Sequence, residues 1–168
     1  MNLLKLLQDA GGSKSLGHLA GAIGIDATQT QSLVSAVAPA LLGGMQKQAG
    51  TDGGFGALEN ALTNGNHARY VDQPELMQDT ATRHDGNKIL GHLFGSKDVS
   101  RNVASDAAAK TGIDPRIIKQ ALPLVAGLAM GALSKQKSGN NLGGLLSTFV
   151  GDDGVGVDDV LSLARKFF

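Results

Sequence analysis

The chain of 168 residues has no cysteine, no tryptophan, one tyrosine and four prolines, and only 18% of its residues are charged. Without cysteine, disulfides, thiolate metal sites and thiol nucleophiles are excluded. Fifteen basic residues balance fifteen acidic ones, so the positive excess that draws nucleic acid or an anionic membrane surface is missing. Long hydrophobic runs are missing too. The two longest apolar windows, 33–45 and 121–133, span 13 residues each, whereas a membrane span needs about 20. Both windows read as buried core helices, and no transmembrane segment is expected. The amino terminus, MNLLKLLQDAGG, lacks the basic start and long apolar run of a secretory signal. It reads as a short amphipathic helix ending at Gly11, in a protein expected to be cytoplasmic.

What is present points to helices. Hydrophobic residues reach 42% with aromatics at only 4%, so the core must be built from Ala, Leu, Val and Ile. Alanine and leucine are the best helix formers, while the aromatic residues that suit strands are scarce. An all-α fold follows. The 24 glycines punctuate periodic apolar segments, which argues for helix ends and for helices that approach one another closely.

The chain also repeats itself. Gly24-Ile25-Asp26 recurs as Gly112-Ile113-Asp114, and Gly43-Gly44-Met45 as Gly131-Ala132-Leu133, both at a spacing of 88. Pro39 and Pro123 are 84 apart, one helical turn out of step. Each copy reads as a short helix, a Gly-Ile-Asp turn and a long apolar helix. Gly24 and Gly112 are placed to close the short helices in the left-handed conformation. Asp26 and Asp114 are placed to cap the long ones, with Pro115 at a first helical position. The long helices are expected over about 27–48 and 115–137, kinked or broken by Pro39 and Pro123.

The resulting organisation is a first helical unit (1–64), a polar connector (65–84), a second helical unit (85–150) and a C-terminal helix (151–168), as separate pieces or as one compact domain. Within the second unit, residues 85–95 read as a capped helix opening at Asp85 and closed by Gly95, and Ser96 or Asp98 caps the next. Gly127, Gly131 and Ala132 make a small-residue helix face. Such a face permits close backbone approach, either within the monomer or in self-association.

The runs Asp85-Gly86-Asn87-Lys88-Ile89-Leu90-Gly91-His92-Leu93-Phe94-Gly95, Thr111-Gly112-Ile113-Asp114 and Leu122-Pro123-Leu124-Val125-Ala126-Gly127, with Gly131, carry a likeness. So does Pro39-Ala40-Leu41-Leu42-Gly43-Gly44 in the first copy. On these residues, over most of 1–148, the chain resembles the bacterial family catalogued as domain of unknown function 937. The resemblance implies an all-helical bacterial protein, with a homeodomain-like arrangement in some members. It brings no catalytic residue and no substrate.

Chemical motifs are sparse. His84 and His92 are eight apart, not at the i, i+3 or i, i+4 spacing of helical metal ligands. The acidic run GDDGVGVDD puts glycines at the third and fifth positions of a calcium loop counted from Asp152, and no Glu follows it. The stretch GHLFGSK at 91–97 departs from the phosphate-loop pattern in spacing and in the order of Ser and Lys. With two glutamates in the chain, Glu59 and Glu75, no acid–base pair stands out. No metal, cofactor or catalytic residue is expected, and the protein reads as a non-enzyme.

Nucleic-acid binding is the rival reading. Ala108, Gly112, Ile113 and Ile118 have helix-turn-helix spacing, as do Ala20, Gly24 and Ile25, although Thr30 stands where the first copy wants an apolar residue. A reading helix needs basic and polar residues early: Arg116, Lys119 and Gln120 supply them in the second copy and Thr28, Gln29 and Gln31 in the first, where only the second copy carries charge. A neutral chain is poorly suited to contacting many phosphates. The favoured expectation is a protein-interaction or self-associating module whose partner is itself or another protein. DNA binding through Arg116, Lys119 and Gln120 is the alternative.

Overall fold

A computed structural model describes residues 3–136, apart from the side chains of Phe55 and Gln136. Its elements are α1 (Leu3–Asp9), α2 (Ser13–Ile23), α3 (Ala27–Ala49), α4 (Gly54–Asn64), α5 (Arg69–Asp72), a 3-10 turn (Pro74–Gln78), α6 (Thr80–Phe94), α7 (Lys97–Thr111) and α8 (Pro115–Gln136). No strand occurs among the described residues, so the fold is all-α as the composition requires.

Two corners set the directions of the long helices. Gly24 (φ 76°) closes α2 and Gly112 (φ 74°) closes α7. Their N–H groups return to the carbonyls of Ala20 and Ala108. Positive φ makes glycine the residue of least strain at both corners. Asp26 caps α3 through a reciprocal pair, accepting from Gln29 N at 2.7 Å while its own N–H donates to Gln29 Oε1 at 3.2 Å. Asp114 accepts from Arg116 N at 2.8 Å. Each such cap contributes about 1 kcal/mol. Thr30, the polar residue in an apolar slot, is buried, and its hydroxyl is satisfied by the Asp26 carbonyl at 2.8 Å.

The prolines do not break their helices. α3 runs unbroken through Pro39 and α8 through Pro123, which corrects the two-piece expectation. The carbonyls left without an N–H partner belong to Ser35 and Lys119, both exposed residues where water can serve as donor.

Helix α8 is the axis of the molecule. Every residue in 121–133 is buried, and the helix packs against α6, α7, α5, α1, α2, α4 and α3. By length and composition Pro115–Lys135 is apolar enough to cross a membrane, but 78% of its apolar window is already buried within the protein. Backbone contact brings α6 in: a Cβ at Gly86 would collide with the Pro123 carbonyl. A Cβ at Gly44 of α3 would stand 2.9 Å from the Leu93 carbonyl oxygen.

The connector departs most from expectation. Residues 65–84 form α5, the 3-10 turn and the start of α6, and they send Tyr70, Val71 and Met77 into the core. Helix α6 opens at Thr80, capped by Asp79, which accepts from Ala81 N at 3.1 Å. Asp85 is therefore an interior helical residue and not the expected cap. Ser96, rather than Asp98, caps α7, accepting from Val99 N at 3.3 Å. The end of the second unit, the acidic run from Asp152 and the expected C-terminal helix lie outside the described residues.

Candidate functional site

The small-residue face of α8 is placed inside the molecule. Gly127, Gly131 and Ala132 are all buried, and the connector lies across them like a strap. A Cβ at Gly131 would sit 2.5 Å from the His67 carbonyl oxygen and 3.2 Å from Val71 Cγ2. One at Gly127 would meet the Tyr70 ring at 3.4 Å. The close approach that this face permits is thus made to residues 67–71 of the same chain, and that leaves it no room for a second copy.

Hydrogen bonds fasten the strap and the helix that precedes it. Ser134 Oγ donates to the Leu62 carbonyl at 2.9 Å, and Lys135 Nζ donates to Asp72 Oδ1 at 2.6 Å. From the other side Ser15 Oγ, itself buried, donates to the Tyr70 carbonyl at 2.8 Å. The Tyr70 hydroxyl donates to Asp85 Oδ2 and accepts from Arg69 Nη2 at 2.9 Å. The Arg69 guanidinium also stands over the Tyr70 ring, 4.9 Å from its centroid. Burial, more than the neighbouring Asp85, pushes the Tyr70 hydroxyl above its ordinary pKa.

His67 completes this cluster. Its Nδ1 is 3.4 Å from Asp85 Oδ2, within ion-pair reach but off hydrogen-bond geometry. Burial lowers its pKa below the ordinary value, and the attraction of Asp85 does not offset the loss of solvent. The imidazole is held neutral. Sequence reasoning weighed histidine spacing only for metal binding and missed this role. The available signal was the chain's single tyrosine, lodged in an otherwise polar run.

The residues of the nucleic-acid alternative are on the surface. Arg116, Lys119 and Gln120 are all exposed on the first turns of α8. Arg116 is committed to Asp114, with Nη2 3.0 Å from Oδ2 and Nε 3.3 Å from Oδ1. The Arg116 side chain is the main reason the Asp114 carboxyl lies below its ordinary pKa. From Ala121 to Leu133 the helix is buried. Lys119 is separated from this pair and borders a cleft between α6, α7 and α8.

Two concavities bear on binding. The α6/α7/α8 cleft has a volume of about 620 Å³ and carries Lys97, Arg101 and Lys119 on its walls. The other is an apolar notch of about 120 Å³ between α4 and α6, floored by Met130 and walled by Ala57, Leu58, Ala61, Ile89 and Leu93. Helix α6 runs continuously through His84 and His92, so the break expected between them is absent. Both histidines are exposed, and no group of three metal-ligating side chains forms among the described residues.

Compared with known proteins, residues 5–136 match the family model described as bacterial protein of unknown function (DUF937). No curated protein and no solved structure matches the chain.

Proposed function

The chain belongs to the bacterial DUF937 family, whose function is unknown, and from that premise we propose that it is a cytoplasmic, non-catalytic module that binds a second copy of itself. The observation carrying this reading is the notch between α4 and α6. Its lining is apolar except for Gln48 and His92, and it is open at the surface beside the exposed Ala57. A pocket of this size takes an anchoring apolar side chain, the feature around which protein interfaces concentrate their energy. Zero net charge favours another copy as the partner, because like molecules then meet without mutual repulsion. The non-catalytic part of the reading rests on the composition, which has no cysteine and two glutamates.

Sedimentation over a concentration series tests it. The chain is expected to shift from monomer to dimer, and Ala57→Arg, which plugs the notch from an exposed position, is expected to leave a monomer with an unchanged unfolding midpoint. A strict monomer at the highest concentration overturns the proposal, and so does an Ala57→Arg variant that still dimerises. The nucleic-acid reading has less support: from Ala121 to Leu133 α8 is buried, which leaves its first turns as the exposed stretch that carries Arg116, Lys119 and Gln120. A reading helix needs an exposed face long enough to lie in the major groove.

A further inference from the structure

The cleft between α6, α7 and α8 is an open concavity lined by three cations, Lys97, Arg101 and Lys119. We propose that it binds a small organic phosphate of about nucleotide size. Lys97 and Arg101 project from the first turns of α7, and Lys119 faces them from α8. No carboxylate lines the cleft. In a chain of zero net charge, three cations on one concave wall, with Asp98 beside them pairing Arg101, are a local excess. Arg101 reaches Asp98 at 3.2 Å, but that pair is solvent-exposed on both sides. Exposed pairs are weak, so a phosphate can displace the carboxylate.

The remaining lining defines the rest of the ligand. Leu90 and Leu122 are nearly buried and form an apolar floor, while Asn87, Ser96 and Ser100 offer an amide and two hydroxyls. A volume of about 620 Å³ falls in the range of small-molecule pockets. The first turn of α7 turns its positive dipole end toward the same space. A phosphate bound among the cations with its organic part on the leucines accounts for all of these groups.

Gly91 shapes one wall of the cleft. It lies inside α6, where glycine weakens a helix relative to alanine. Gly86 and Gly44 are explained by backbone crossing them, but a Cβ at Gly91 would meet nothing within 4 Å. It has no positive φ either. The fold does not require glycine there, any more than at Gly17 of α2 or Gly56 of α4, and the lack of a side chain leaves the cleft wall beside it open.

Calorimetric titration of the full chain with AMP and with inorganic phosphate tests the proposal. AMP is expected to bind saturably and phosphate to compete with it. Lys97→Ala combined with Lys119→Ala should weaken AMP by at least about tenfold, the scale of lost charge-assisted contacts. Gly91→Leu preserves every charge and has open space for its side chain, so it should fold normally and abolish binding. Arg116→Ala, a cation outside the cleft, should bind as the parent does. Failure of AMP to saturate at millimolar concentration overturns the proposal. Undiminished binding by Gly91→Leu, or retention of duplex DNA without AMP binding, overturns it equally.

Discussion

Two glycines of the same chain make opposite predictions when replaced. At Gly131 a Cβ meets the His67 carbonyl oxygen at 2.5 Å, backbone that has little freedom to move. Gly131→Leu is therefore expected to destabilise by about 1 to 3 kcal/mol, the usual cost of overpacking, read as a lower urea midpoint. At Gly91 nothing is in the way, so Gly91→Ala should stabilise by about 0.5 to 1 kcal/mol through helix propensity alone, read as a higher midpoint. An unchanged midpoint for Gly131→Leu would mean that the strap does not lie on α8. The sequence marked Gly131 as a site of close approach through its spacing from Gly127, but it contained nothing to identify the approaching backbone. That backbone is His67, whose three-dimensional neighbours are encoded far away in the chain.

At the scale of elements, the strap of residues 65–78 has a stability that depends on a titrating side chain. Burial keeps His67 below its ordinary pKa, with Asp85 and Arg69 acting on it in opposite directions. In the unfolded chain the imidazole takes up a proton near pH 6.5, whereas in the folded chain it does so only at lower pH. The unfolded state then binds more protons, so stability is fully present at neutral pH and falls as pH drops through about 6.5 toward the folded value. Thermal unfolding at about pH 7.5 and about pH 5.5 should show this loss, and His67→Gln should reduce it. An equal loss in the variant would assign the effect to other groups. This element was the least visible from sequence, because α5 and the 3-10 turn are too short to show a hydrophobic period. Tyr70, Val71 and Met77 are its buried apolar residues, with Leu76 packed at the edge of the core. By contrast, the helices flanking the corners could be read with their caps, since Gly24, Gly112, Asp26 and Asp114 act on backbone within a turn of themselves. Asp85 was misread for the same local reason: Asp before Gly looks like a cap, and its true partner, the Tyr70 hydroxyl, is fifteen residues away.

At the scale of the whole molecule, the question is whether the two helical units seen in sequence are separate folding units. The packing argues that over 3–136 they are not. α3 of the first unit rests on α6 and α7 of the second, and α1, α2 and α4 all contact α8. Removing either unit would strip apolar surface from the other, since α8 is buried over 121–133 by helices from both halves. Such mutual burial makes unfolding cooperative. The single tyrosine provides a probe at the junction: its carbonyl is held by Ser15 of α2, its hydroxyl by Asp85 of α6, and its ring covers Gly127 of α8. Tyrosine fluorescence at this one site and far-UV circular dichroism over all helices should therefore report the same urea midpoint and slope. Two resolved transitions, or a tyrosine signal lost before the helical one, would show that the strap or a unit yields independently. Coincidence would mean that both halves, the strap included, fold as one body around α8.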